Sequence, residues 1–289
     1  MSRTFADKSC RDPRPSQLSG RIDQSPTIPP DLTLIIPAYN EQHRLPKTLW
    51  GVRSFLDDWN LDYRVLVADD GSLDRTSELT ELFGPRFSTL SLPRQQGKGA
   101  AVRAGMLSAS GSVLAFTDAD LPFDLEALRT GYQQIRAGAC DVVFGARDLD
   151  SSRDLAPRKL SRKVASAAFR WVANRLISRE ITDTQCGLKL FSRSAARSVF
   201  SRLTIPGFAF DAEVVYLTQK LRLRYSRVPV TLVNEHSSSL SLARHAWPML
   251  RDLIALRWND LGRSVNSEIH EFSVTPEQQF LALPERPAA

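Results

Sequence analysis

Two carboxylates two residues apart, Asp118 and Asp120, stand where the apolar run Val113-Leu114-Ala115-Phe116 ends. A continuous apolar run is the pattern of a strand buried on both faces. Side chains two apart along an extended chain point the same way, so both acids are expected to emerge together at the mouth of that strand. Like charges that close need a cation. A hard divalent ion, Mg2+ or Mn2+, suits an all-oxygen pair and leaves its remaining positions to water and substrate phosphates. The chemistry indicated is that of a nucleotide diphosphate. The plain alternative, two aspartates capping a helix from Asp124 or solvated in a loop, accounts for the pair but not for its neighbours in the sequence.

The elements that must position this pair follow from the order of apolar runs. LTLIIP from Leu32 is a buried first strand, followed by the polar PAYNE and a helix whose apolar positions are Leu45, Leu49, Val52 and Leu56. RVLVADDGS is a second strand ending in acids, with Asp69, Asp70, Gly71 and Ser72 in a turn and Asp74 suited to cap the next helix. A short strand over Thr89 to Leu92, the small-residue helix opened by RQQGKGAAVRAG, the strand before Asp118, a helix from Asp124 to Ala137 and a strand from Asp141 to Gly145 continue the alternation. Such repeated units predict an α/β fold with a largely parallel sheet and ligands at the carboxyl edge.

IIPAYNE, VADDGSLD, RQQGKGAAVRAG and FTDAD, in this order, resemble the inverting family 2 glycosyltransferases with the GT-A fold. The likeness continues through Gly145 to Arg147, DTQCGLKLF and FAFDAEVVY, segments most similar to the polyprenyl- or dolichyl-phosphate sugar synthases and, within them, the dolichyl-phosphate glucosyltransferase type. It spans roughly Leu32 to Trp258. The resemblance implies that Pro37, Ala38, Tyr39 and Glu41 serve the base and ribose of a nucleotide sugar, with Asp69 beside the base. A tyrosine ring can pack on a base or sugar, and a carboxylate can accept from a base N–H. It also implies that Lys98, flanked by Gly97 and Gly99, brings a cation to the nucleotide; this is no P-loop, since the glycine spacing and downstream Ser or Thr are missing. Where lipid-phosphate mannosyl synthases carry a glutamine near the metal, this chain has Pro122, so water, diphosphate or another residue must supply that part of the shell.

Beyond the acidic pair the chain is rich in arginine. Arg147, at a strand end, resembles the family's phosphate-binding arginine. Arg158 and Arg162 lie four apart in what reads as a basic amphipathic helix and can jointly hold a phosphate. Asp183 falls in a turn before Cys186 and is expected to take part in function; Cys186 lacks the histidine pattern of an activated nucleophile. Asp211 and Glu213 form a second acidic pair, able to act as base for an acceptor hydroxyl or to position an arginine. A last strand over Pro229 to Val233 precedes a helix from Leu242 to Leu261, where Trp247, Leu250, Ile254, Trp258 and Leu261 form a stripe flanked by arginines. That stripe suits either core or dimer packing or docking at a membrane interface.

The 289 residues, 42% of them hydrophobic, suffice for a sizeable core, and Lys plus Arg exceeds Asp plus Glu by 38 − 32 = 6, which suits an anionic partner. Three scattered cysteines make no zinc pattern, and no apolar run reaches the roughly 20 residues of a bilayer span. We expect a disordered tail over 1–30, a GT-A domain over 31–263 and a carboxyl-terminal tail over 264–289, on the cytoplasmic side and peripheral to the membrane face. The expected reaction moves a hexose from a nucleoside diphosphate sugar, UDP-glucose favoured over GDP-mannose, to a polyprenyl phosphate. The alternatives are transfer to a hydroxyl of a small soluble acceptor, and a non-catalytic module binding nucleotide sugar or nucleic acid. Nucleic acid explains the arginines but neither the acidic pair nor the Asp69 turn, so it is not expected as a partner; a homodimer is left open.

Overall fold

A computed structural model describes residues 29–149, 151–154, 183, 186–233, 248–256 and 258. Its elements are β1 (Leu32–Ala38), α1 (Leu45–Asp57), β2 (Tyr63–Asp69), α2 (Thr76–Glu81), β3 (Phe87–Ser91), α3 (Lys98–Ser108), β4 (Val113–Phe116), α4 (Glu126–Arg136), β5 (Val142–Ala146), β6 (Arg153–Asp154), β7 (Lys189–Ser192), α5 (Arg193–Phe200), α6 (Phe210–Lys220), β8 (Tyr225–Pro229) and β9 (Thr231–Leu232). Residues 248–256 are helical as well and are called α7.

Seven strands form one sheet in the order β3-β2-β1-β4-β7-β5-β8, and β6 pairs with β9 in a second, two-stranded sheet. The sheet is mostly parallel, as its βαβ connections require. All seven residues of β1 are buried, because it lies between two neighbours with helices over both faces. The pleat divides its side chains. Leu32, Leu34 and Ile36 pack with Leu45, Leu49 and Val52 of α1, whereas Ile35 packs with Ala101, Val102 and Met106 of α3. α3 lies close on the sheet because Gly105 leaves room there: a Cβ would stand 2.7 Å from Ile35 Cγ2.

The segment after Cys186, for which no element was expected, is β7, and it runs antiparallel between β4 and β5. Two sequence expectations need correction. The strand expected over Thr89 to Leu92 is β3, starting two residues earlier. The strand expected over Pro229 to Val233 is divided: β8 ends at Pro229 on the sheet edge, where a residue without an N–H donor is tolerated, and β9 leaves for the small sheet. There β9 meets the loop after the acidic pair, through a Phe123–Leu232 bridge and a bond from Val233 N to Pro122 O of 2.9 Å.

The basic helix with Arg158 and Arg162, Trp247, and both expected tails except Pro29 and Pro30 lie outside the described residues.

Candidate active site

β1, β2 and β4 run parallel, so their carboxyl ends bring the Tyr39, Asp69–Asp70 and Asp118 loops to one edge. The chain does not stay extended through the acidic pair. Leu121 N donates to Asp118 O at 3.1 Å and Leu121 has φ 41°, so residues 118–121 turn sharply. Thr48 of α1 holds this turn by donating its hydroxyl to Ala119 O. The carboxylates still share one field: burial raises the Asp120 pKa, the Asp118 charge raises it further, and Lys98 opposes both. Glu41 is raised for similar reasons, first burial and then, against Arg44, the charges of Asp120 and Asp74. A region of hard oxygens with excess negative charge fits a divalent cation. Asp118 and Asp120 are the two carboxylates of this turn that fit such an ion; among the described residues no group of three His, Cys, Asp or Glu side chains is arranged to hold one.

Lys98 Nζ lies 2.5 Å from Asp118 Oδ1. Its backbone is fixed from two directions. Asp70, read from sequence only as part of a turn, accepts from Gln96 N at 2.7 Å and Gly97 N at 2.8 Å. On the opposite side Pro206 O accepts from Ala100 N at 3.1 Å. Gly97 has φ 112°, and a side chain there would run into Pro206 O. The two glycines around Lys98 are thus a condition for close backbone packing.

The PAYNE and DDGSLD loops are laced together. Asn40 N donates to Ser72 Oγ (2.8 Å), Leu73 N to Asn40 Oδ1 (2.9 Å), Glu41 N to Thr76 Oγ1 (2.8 Å) and Gln42 N to Asp74 Oδ2 (3.1 Å). Asp74 also accepts from Thr76 N at 3.0 Å, a local turn bond; it is not the expected cap, since the N-cap position of α2 is Arg75 and no side chain caps the helix. Pro37 and Ala38 are buried at the end of β1, and Tyr39 is half-exposed beside them. Asp69 is buried, with Oδ1 accepting from Ser72 N at 3.0 Å and Oδ2 from Ser91 Oγ at 3.1 Å. Sequence reading missed the roles of Asn40 and Ser72; their only signal was two polar loops following two adjacent strands.

Arg147 and Asp183 form a forked pair. Nε donates to Oδ2 at 2.8 Å and Nη2 to Oδ1 at 2.5 Å, and Arg147 N adds a third bond of 2.9 Å. The Asp183 side chain is wholly buried; burial pushes its carboxyl up, but the bonds and charge of Arg147 outweigh this and hold it below the usual aspartate range. Gly187, two residues before β7 begins, lies directly against Asp118: a Cβ would stand 2.7 Å from Asp118 Cγ. Cys186 is buried, and burial with the Asp183 charge pushes its thiol up to about 12, which makes it a poor nucleophile.

The second acidic pair is separated by its helix. Residues 210–220 form α6, so side chains two apart face different directions rather than one. Asp211 accepts from the buried Lys189 Nζ at 2.5 Å, and Lys189 also donates to Cys186 O at 2.7 Å. Glu213 turns to residues 204 and 205, accepting from Thr204 N, Thr204 Oγ1 and Ile205 N at 2.9, 2.7 and 2.6 Å.

A helix-flanked, mostly parallel sheet with an acidic turn at its carboxyl edge defines the GT-A class of nucleotide-diphospho-sugar transferases. The profile described as "Glycosyl transferase family 2" matches residues 33–200, and the chain belongs to that family of glycosyltransferases. It is similar to the dolichyl-phosphate beta-glucosyltransferase of Drosophila melanogaster, with 34% identity over 251 residues covering 81% of this chain and 76% of the fly protein. The Homo sapiens protein of the same name is 31% identical over 252 residues, covering 82% and 77% of the two chains. Among solved structures, mannosyl-3-phosphoglycerate synthase from Rubrobacter xylanophilus matches with a TM-score of 0.63 at 16% identity, covering 81% of this chain and 75% of that one. Glucosyl-3-phosphoglycerate synthase from Mycobacterium tuberculosis, in complex with Mn2+, UDP-glucose and phosphoglyceric acid, gives 0.60 at 18% identity, covering 81% and 80%. These structural likenesses concern the fold.

Proposed function

We propose that this glycosyltransferase moves glucose from UDP-glucose to a polyprenyl phosphate of the dolichyl type, inverting the anomeric carbon. The observation that carries the reading is the convergence of Asp118, Asp120 and Lys98 with the Arg147–Asp183 fork at the sheet edge. Similarity to the fly dolichyl-phosphate beta-glucosyltransferase over 81% of this chain and 76% of that protein supports the acceptor class, and complexes of structural relatives with Mn2+ and UDP-glucose support the donor.

Asp118 and Asp120 would hold Mg2+ or Mn2+, which when bound supplies positive charge to a departing diphosphate. Lys98 stands beside Asp118 as a second cation for that diphosphate, while the laced loops around Tyr39, Glu41 and Asp69 receive base and ribose. A phosphate oxygen is already anionic near neutral pH and attacks without a dedicated base; its approach to the diphosphate requires cations instead. Asp183 occupies only two of the five side-chain donors of Arg147, so the guanidinium can still receive the acceptor phosphate. Arg158 and Arg162 complete the acceptor side in this reading.

No helix among the described residues is long and apolar enough to cross a membrane. α7 instead buries Leu253 in the core and turns Ile254 outward, with Trp258 also exposed. This supports interfacial docking that leaves the lipid tail in the bilayer. The test is transfer of labelled glucose from UDP-glucose into solvent-extractable lipid with Mn2+ and dolichyl phosphate. Asp120→Ala should abolish transfer with the fold retained; undiminished activity after chelation, or glucose appearing only on soluble acceptors, rejects the reading.

A further inference from the structure

We infer that Glu213 is a positioning residue for Lys98, acting through the loop of residues 204–207; this rests on the reading of Lys98 as a diphosphate-binding cation. Glu213 is 1% exposed, and its carboxylate is met by three donors from one short stretch, Thr204 N, Thr204 Oγ1 and Ile205 N. A buried carboxylate surrounded in this way fixes the backbone that supplies its donors, because any displacement strips hydrogen bonds from a charge that water cannot reach. Within the loop Thr204 and Pro206 are exposed, and Ile205 is its buried apolar residue.

The other side of the loop is the seat of Lys98. Pro206 O accepts from Ala100 N in the first turn of α3, where backbone donors have no partner within the helix. A Cβ on Gly99 would stand 2.5 Å from Ile205 O and 2.7 Å from Phe210 Cβ, so loop, helix start and α6 are in direct backbone contact. Phe210, from the same helix as Glu213, places its ring 5.7 Å from Lys98 Nζ. With Asp70 holding Gln96 N and Gly97 N from the other side, the backbone of Lys98 sits between two carboxylates that do not touch its side chain. The flexible lysine stem is thereby aimed at Asp118 before ligand arrives, which lowers the ordering cost of binding.

Glu213→Gln keeps the volume but puts an amide N–H₂ where one oxygen accepted, opposing donor to donor. Calorimetry of UDP with Mn2+ on the full chain should show binding about tenfold weaker in Glu213→Gln, but no more than about threefold weaker when the change is made in a Lys98→Met background. Equal losses in both backgrounds would show a general structural effect and overturn the proposal. Hydrogen exchange supplies a second readout. Amides of residues 97–102 should exchange faster in Glu213→Gln while those of β1 and β2 keep their protection; unchanged exchange at 97–102 also overturns it. If Glu213→Gln fails to fold, Thr204→Val, which deletes one of the three donors, takes its place with an expected loss of about twofold to threefold confined to the Lys98 background. Should the wild-type chain bind neither UDP nor GDP, the diphosphate reading fails, and exchange at 97–102 alone decides whether the clamp exists.

Discussion

Asp183 and Arg147 show how a single buried carboxylate sets the use of a cation it neutralises only in part. Asp183→Asn replaces one acceptor oxygen by a donor and breaks the fork. The loss of hydrogen bonds between charged groups, about 1.5–3 kcal/mol, should lower transfer about 10- to 100-fold while UDP affinity is largely retained. The same pair has a pH signature. Because the folded carboxyl is held below its ordinary value, its contribution to stability is fully present above the unfolded aspartate value of about 4 and is lost as the pH falls through the lower folded value. Urea unfolding between pH 3 and 6 should show a shallower acid limb in Asp183→Asn; an identical limb would rule out this linkage. Cys186, three residues away, should be inert. With its thiol buried and pushed up to about 12, iodoacetamide should label it only after unfolding. Rapid labelling of Cys186 in the folded chain with loss of transfer would reverse that assignment.

At the scale of elements, the acidic turn is shaped by the strands beside it as much as by its own residues. β7 enters antiparallel next to β4, and the glycine that precedes it, Gly187, gives the Asp118 carboxylate its space. Gly187→Ala should therefore weaken Mn2+ binding at least tenfold, about 1.4 kcal/mol, through displacement of Asp118. Because the change is one methyl at a sheet end, the melting temperature is the control. Calorimetric Mn2+ affinity equal to wild type would mean that Asp118 moves without consequence. Across the site, the bonds of Asn40, Ser72, Asp74 and Thr76 join the loops after β1 and β2 into one unit, so the edge proposed to receive the base is built from two chain segments more than thirty residues apart.

For the molecule as a whole, the surface that carries the lipid acceptor reading is the outer side of α7. Leu253 faces the core, whereas Ile254 is 46% exposed and Trp258 75%, with Arg251 exposed nearby. Replacing Ile254 and Trp258 together by Ser should reduce binding to anionic liposomes and spare transfer to a short-chain polyprenyl phosphate. Added salt should weaken the wild-type binding, because the proposed docking joins arginine to lipid headgroups. Loss of folding in this variant would instead make the stripe a structural one.

The βα order, the buried strands and the acidic pair were legible in the sequence because they are local: apolar runs, turn residues and spacing depend on neighbours in the chain. Asp118 could be singled out for the same reason, standing just past the end of such a run, whereas Tyr39, Asp69, Lys98 and Arg147 were marked by the resemblance of their motifs to the family. The antiparallel entry of β7 was not legible, since a strand of four residues, Lys189–Ser192, carries no mark of direction. Nor could spacing tell that Asp211 and Glu213 would part, because the period of two holds for a strand and the segment is a helix. Tertiary structure alone decided where the carboxylates of Asp70, Asp183 and Glu213 are used. Their donors come from residues 96–97, 147 and 204–205, and only the packing of separate elements brings such groups within hydrogen-bond reach.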